Sequence, residues 1–120
     1  MTLGRVKTYT AESGYVYQYY YVGRRDALPG EPERPATEYI FDVSADRKTT
    51  YAVSVFLKPE ALAAWAAARR RSLTSTEQYA AAKMRLLRGF DEISDLRAHP
   101  RRLRVDAANI EDLLSSLGLE

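Results

Sequence analysis

Through the first 57 residues apolar positions alternate with polar ones, and from residue 58 onward they recur at helical spacing, so strands precede helices along the chain. Arg5 to Thr10 and Gly14 to Val22 read as two strands joined by a turn at Ala11, Glu12 and Ser13. In the second strand Tyr15, Tyr17, Tyr19 and Tyr21 share one face, and Val16, Gln18, Tyr20 and Val22 the other, because side chains alternate with a period of two. Either face can be the buried one on this pattern. Residues 24–37 hold Pro29, Gly30, Pro32 and Pro35 among charges and read as a mobile proline-rich loop. Glu38 to Ser44 and Thr49 to Leu57 resume the alternation, with Tyr39, Phe41 and Val43 on one apolar face and Tyr51, Val53, Val55 and Leu57 on its match. The polar turn Ala45 to Lys48 between them predicts a hairpin.

Helical chemistry begins at Lys58. Pro59 suits a first helical position and Glu60 complements the positive end of the helix dipole. The alanine-rich run carrying Leu62 and Trp65 continues to about Arg70, where Arg69, Arg70 and Arg71 sit favourably at a helix C-terminus. Thr74 and Glu77 have the spacing of a capping box. The helix they open is expected to run to about Arg97, with Tyr79, Met84, Leu87, Phe90 and Ile93 turned toward the core and His99 and Pro100 ending it. Arg101 to Val105 predicts a short fifth strand. Asp106 or Asn109 then caps a last helix whose stripe is Ile110, Leu113, Leu114 and Leu117. The expectation is one α+β domain over residues 1–120, a four-stranded antiparallel sheet followed by two helices, a fifth strand and a C-terminal helix, in the order ββββααβα.

Composition removes several classes of function. The chain has no cysteine, which excludes disulfides, thiolate metal sites and cysteine nucleophiles and fits a reducing compartment, with the cytoplasm as the expected location. Met1 to Thr10 lacks the apolar core of a signal peptide, and no run approaches the roughly 18 apolar residues of a membrane span, so no membrane association is expected. Phosphate-cradling glycine motifs, zinc-hydrolase and serine-hydrolase signatures and calcium loops are all missing from the sequence, and neither a cofactor nor a metal is expected. With a single histidine, His99, no multi-histidine site can form. Asp91, Glu92 and Asp95 can share one side of the long helix, and Glu38 and Asp42 one strand face, but both sets read most simply as solvated surface.

Charge is uneven. Seven basic and seven acidic residues balance up to Leu57; Lys58 to Arg104 carries eleven basic against five acidic; the remainder holds four acidic and no basic residues. Two features are therefore candidates for function. The tyrosine face, Tyr15, Tyr17, Tyr19 and Tyr21, offers a flat aromatic surface for a ligand, a protein partner or a second copy of the chain, and gives the leading expectation: a non-catalytic binding or regulatory module, self-associating through that face. Lys83, Arg85, Arg88, Arg101, Arg102 and Arg104 are candidate anion contacts, which with the tyrosines would suit a nucleic-acid binder. A third reading is a small-molecule enzyme with its pocket between the sheet and the long helix.

Overall fold

A computed structural model describes residues 5–93 and 101–118. The strands are β1 (Lys7–Thr10), β2 (Val16–Asp26), β3 (Thr37–Ser44), β4 (Tyr51–Leu57) and β5 (Arg102–Val105). The helices are α1 (Pro59–Arg69), α2 (Ser75–Glu92) and α3 (Ile110–Ser115). The strands lie side by side in sequence order, β1 to β4 antiparallel and β5 parallel to β4, so α1 and α2 form the crossover that a parallel pair requires. The mixed α+β architecture and the order ββββααβα are those expected from the pattern.

Each turn has its own local cause. Between β1 and β2 the Ala11 N–H donates to the Tyr15 carbonyl at 2.8 Å and the Gly14 N–H to the Ala11 carbonyl at 2.9 Å. Gly14 has φ of 94°, a conformation only glycine adopts without strain. Between β3 and β4 the Asp46 carboxylate accepts from the N–H groups of Lys48 and Thr49 at 2.8 and 2.9 Å, fixing the turn.

The second strand is longer than its composition suggests. It continues past Val22 through Arg24, Arg25 and Asp26, which pair with Tyr39, Glu38 and Thr37 after a bulge between Tyr21 and Gly23. Arg25 and Glu38 sit opposite each other there, with Arg25 Nε donating to Glu38 Oε1 at 2.9 Å, so charges that resemble a loop in the sequence form a cross-strand pair. The proline-rich segment then spans residues 27–36. The Ala27 N–H donates to the Ala36 carbonyl at 2.9 Å to close it, and Lys58 Nζ donates to the Glu33 carbonyl at 2.6 Å. Glu31 is bound by Arg102, and Glu33 lies 3.7 Å from Arg104. These contacts draw the segment toward the β4–β5 end of the sheet, where Phe56 is fully buried with the Arg102 guanidinium 4.8 Å above its ring.

The helices cover the other face. α1 begins at Pro59 and ends with Arg70 in the left-handed region, its N–H bonded to the Ala66 carbonyl. Trp65 is fully buried, and the guanidiniums of Arg69 and Arg71 lie 4.9 and 4.7 Å from its ring centre. α2 opens with the expected box, Thr74 Oγ1 accepting from the Glu77 N–H and Glu77 accepting from the Thr74 N–H. It ends at Glu92 instead of the expected Arg97, because Ile93 already has extended backbone (φ −107°, ψ 114°). Asp95, Arg97, His99 and Pro100 lie outside the described residues.

Its buried stripe also differs from expectation. Ala82, Leu86 and Phe90, four residues apart, are buried, while Tyr79, Met84, Leu87 and Ile93 pack only partly against the core. The small Ala81, Ala82 and Gly89 let α2 approach the sheet closely: a Cβ at Gly89 would stand 2.9 Å from Leu103 Cδ1 of β5. α2 packs on β4, β5 and α3, and α3 buries Ile110, Leu113 and Leu114, while Leu117 of the predicted stripe stays exposed.

Candidate functional site

The tyrosine strand lies with its tyrosine face toward the helices. Tyr17 and Tyr19 are 3% and 5% exposed, and Tyr17 stacks on Phe90 of α2 with ring centres 4.3 Å apart and planes 6° from parallel. Tyr15 precedes the strand and is 58% exposed. Tyr21 is half-buried, 4.8 Å from the Tyr79 ring in an edge-on arrangement. The four tyrosines are thus not one flat outer surface. The middle two are core, and what remains accessible is the margin between the β1–β2 edge and α2.

A cleft of about 150 Å³ opens at that margin, lined by Arg5, Lys7, Tyr19, Tyr20, Tyr21 and Tyr79. Its construction follows from register and helical period. Lys7 is the cross-strand partner of Tyr19, so both project to the helix side, and Tyr21 follows two residues along the same face. Tyr79 comes up from α2, and Lys83 lies one turn further along that helix on the same side. Partial burial pushes the Lys83 ammonium below its usual range, and the Lys7 charge adds to the effect. Among the described residues, none of Arg5, Lys7 and Lys83 has a carboxylate within ion-pair distance.

Burial pushes the hydroxyls of Tyr19, Tyr21 and Tyr79 above the ordinary phenol range, helped at Tyr19 by Tyr79 and at Tyr21 by Tyr39. At neutral pH all three are therefore protonated donors. The cleft combines uncompensated positive charge, phenolic O–H groups and aromatic edges. Those groups complement a compact anion.

Two wider hollows adjoin the far end of β2. One, about 310 Å³, is lined mainly by the proline segment with Leu57, Pro59 and Leu62; the other, about 380 Å³, by Arg24, Arg25, Asp26, Thr37, Ser75 and Gln78. Neither gathers free charge as well. In the second, Arg25 is committed to Glu38, the Asp26 carboxylate shares the lining with Arg24, and Glu77 occupies the α2 N-terminus.

The other basic residues singled out in the sequence are dispersed and engaged. Arg85 Nε donates to the Arg104 carbonyl at 3.2 Å, and its Nη1 lies 3.6 Å from Glu92. Arg88 donates to the Asp112 carbonyl and the Ser116 hydroxyl at 3.1 and 3.2 Å. Arg101 stands 5.6 Å from the Tyr51 ring, Arg102 binds Glu31, and Arg104 pairs with Asp106 at 3.2 Å. Only Lys83 of the six joins the tyrosines. Lys7, Arg5 and Tyr79 complete the cleft without having been singled out as site residues; the four-residue spacing from Lys83 was a signal for Tyr79 alone.

The carboxylates are also engaged. Asp91 accepts from the Tyr9 hydroxyl at 2.7 Å and from the Glu12 N–H at 2.9 Å, tying α2 to the β1–β2 turn. That bond, with burial, pushes the Tyr9 hydroxyl up to about 12. Asp42 accepts from the Tyr20 hydroxyl at 2.7 Å. Burial alone pushes the Glu38 carboxyl up, but hydrogen bonds from Arg25 and from the Ser54 hydroxyl, the latter at 2.6 Å, outweigh it and hold Glu38 below its usual range. Among the described residues no cluster of three metal-ligating side chains occurs, and no helix is long and apolar enough to cross a membrane.

No family model, no curated protein and no solved structure matches this chain. The geometry of the chain's own residues is therefore the basis for any functional reading.

Proposed function

We propose that this protein is a non-catalytic binding module whose ligand is a compact anion, such as a phosphate or a small carboxylate, held in the cleft between the β1–β2 edge and α2. The observation that carries the reading is a cleft lined by Arg5, Lys7 and the tyrosines Tyr19, Tyr20, Tyr21 and Tyr79, with Lys83 one turn along α2 close enough to feel the Lys7 charge, and, among the described residues, no ion pair to any of the three cations. Lys83 is partly buried and feels the Lys7 charge, and an anion between them offsets both the lost hydration of Lys83 and the repulsion. About 150 Å³ has room for a group of phosphate size.

The test is a titration with inorganic phosphate and pyrophosphate at low ionic strength, followed by amide chemical shifts and isothermal calorimetry. Shifts should concentrate at Lys7, Tyr19, Tyr21, Tyr79 and Lys83, and Lys83→Met should weaken binding by about tenfold or more, the worth of one charge-assisted hydrogen bond. Tyr79→Phe should weaken it less. Absence of binding, or shifts confined to Arg85–Arg104, would overturn the reading, and the second outcome would favour the nucleic-acid alternative with its steep salt dependence.

A further inference from the structure

The outer edge of β2 is paired for only half its length. The Ala11 N–H donates to the Tyr15 carbonyl across the first turn, so by the alternation of an antiparallel ladder the backbone groups of Tyr17, Tyr19 and Tyr21 point toward the β1 side. At the far end the Ala27 N–H donates to the Ala36 carbonyl, so Ala27 and Arg25 point toward β3, and Arg24 and Asp26 away from it. The bulge between Tyr21 and Gly23 accounts for the change from odd to even positions. β1 reaches no further than Tyr19. The N–H and C=O groups of Tyr21, Arg24 and Asp26 therefore face outward, with no strand beside them among the described residues.

The side chains along this edge on the helix side are basic. Register sets Lys7 beside Tyr19 and Arg24 beside the buried Tyr39, both on the face turned to the helices. One row of α2 runs alongside: Ser75 shares a hollow with Arg24, Tyr79 lines the anion cleft with Tyr21, and Lys83 follows one turn on. Among the described residues Arg5, Lys7, Arg24 and Lys83 take part in no ion pair. Asp26, the acidic member of the edge, stands at its far end.

We infer that the open edge of β2 takes an extended acidic peptide as an added strand, with one acidic side chain in the anion cleft and a second, two residues along, beside Arg24. This rests on the anion reading of the cleft and names what carries the anion. Charge selects the occupant. A second copy of this edge would set basic groups against basic groups, and a bulge with arginines on an edge discourages self-pairing. An acidic strand meets opposite charge at two successive positions on one face, while its backbone supplies the partners that the edge lacks.

The probe is the acetylated and amidated pentapeptide Val-Glu-Val-Glu-Val, titrated at low ionic strength and followed by amide shifts and hydrogen exchange of the protein. It should bind with a dissociation constant of about 1 mM or below, and at saturation exchange at the Tyr21, Arg24 and Asp26 amides should slow by about tenfold or more. Glutamine in place of both glutamates should weaken binding by about tenfold or more. Alternate peptide N–H groups face the edge, so N-methylation of one alternate set should abolish binding and of the other leave it within about threefold. Phosphate binding without peptide binding overturns this inference and leaves the anion reading standing; loss of both removes the two together. Equal effects of the two methylation patterns overturn it, because no ladder then forms. So does slow exchange of those three amides in the free protein, because another part of the chain then already pairs there.

Discussion

Replacing Phe90 tests whether the tyrosine face is core. Phe90 is 1% exposed and touches three tyrosines: stacked on Tyr17 at 4.3 Å, and tilted against Tyr9 and Tyr19 with ring centres 5.9 Å away in both cases. Truncating a fully buried phenylalanine to alanine costs about 3–5 kcal/mol, a large part of the roughly 5–15 kcal/mol available to a domain. Phe90→Ala should therefore be close to unfolding at growth temperature. Phe90→Leu keeps most of the apolar area and gives the more informative measurement. It should lose the ring-on-ring term, about 0.5–1.5 kcal/mol, plus a similar amount for shape, and lower the melting temperature by about 4 °C per kcal/mol. The assay is urea denaturation of the four proteins of a cycle: unmodified, Tyr17→Leu, Phe90→Leu and the double variant. The cycle cancels whatever else each ring touches, and its coupling energy should be about 0.5–1.5 kcal/mol. If the two substitutions add to within about 0.3 kcal/mol, the rings do not stack, and the placement of the tyrosine face under α2 is refuted.

Three further outcomes follow from single contacts. Asp91→Ala leaves the part-buried Tyr9 hydroxyl and the Glu12 N–H without their acceptor and should cost about 1–3 kcal/mol in chemical denaturation, whereas Glu92→Ala on the exposed neighbouring position should cost less than about 0.5 kcal/mol. Gly89→Ala gains about 1 kcal/mol of helix propensity but drives a methyl to 2.9 Å from Leu103 Cδ1, an overpacking of about 1–3 kcal/mol; the net should be destabilising, and Leu103→Val in the same chain should restore part of the loss. The Arg71 guanidinium beside Glu77, with the Thr74 N–H, holds the Glu77 carboxyl down at about 2 against 4.5 for the free group. Because the folded value is the lower one, this contribution is complete above about pH 4.5 and lost as pH falls toward 2; the fall in melting temperature across that window should be smaller in Glu77→Gln, and equal falls would remove the assignment.

Most of the architecture was legible because periodicity reports burial directly. Tyr39, Phe41 and Val43 alternate against Tyr51, Val53, Val55 and Leu57, and those residues are the sheet's inner face. Thr74 and Glu77 announce the start of α2 through chemistry that is entirely local. What was not legible depends on partners distant in sequence. Arg24, Arg25 and Asp26 carry no strand signal of their own and are held in β2 because β3 supplies Glu38 and because the bulge at Gly23 corrects their register. The end of α2 was misplaced by several residues because the charged residues after Phe90 are compatible with a helix, whereas Ile93 already has extended backbone.

The cleft shows why a site of this kind escapes pattern reading. Its lining comes from separate parts of the chain: Arg5 and Lys7 from its start, Tyr19, Tyr20 and Tyr21 from β2, and Tyr79 from α2, with Lys83 one turn beyond. β1 pairs with β2 only from Val16 to Tyr19, so beyond Tyr19 the sheet has no outer strand among the described residues and Tyr21 is left at an open margin. Toward β5, Ala81, Ala82 and Gly89 bring α2 down onto the sheet; toward β2, rings of Tyr19, Tyr21 and Tyr79 fill the interval. A helix that is tight on one side and propped on aromatic rings at the other leaves a gap along the propped side. The stripe of tyrosines borders the cleft, but as packed rings and not as the flat face expected from the pattern. Its rings serve mainly as packing, and the chemistry it contributes is at the hydroxyl ends, where Lys7 and Lys83 have no acidic partner. Removing a hydroxyl at that margin should consequently affect ligand and stability in opposite proportion to Phe90: Tyr79→Phe keeps the prop and should leave urea stability within about 0.5 kcal/mol while weakening phosphate binding. Equal loss of both would mean that the hydroxyl is structural and that the cleft is only a packing defect.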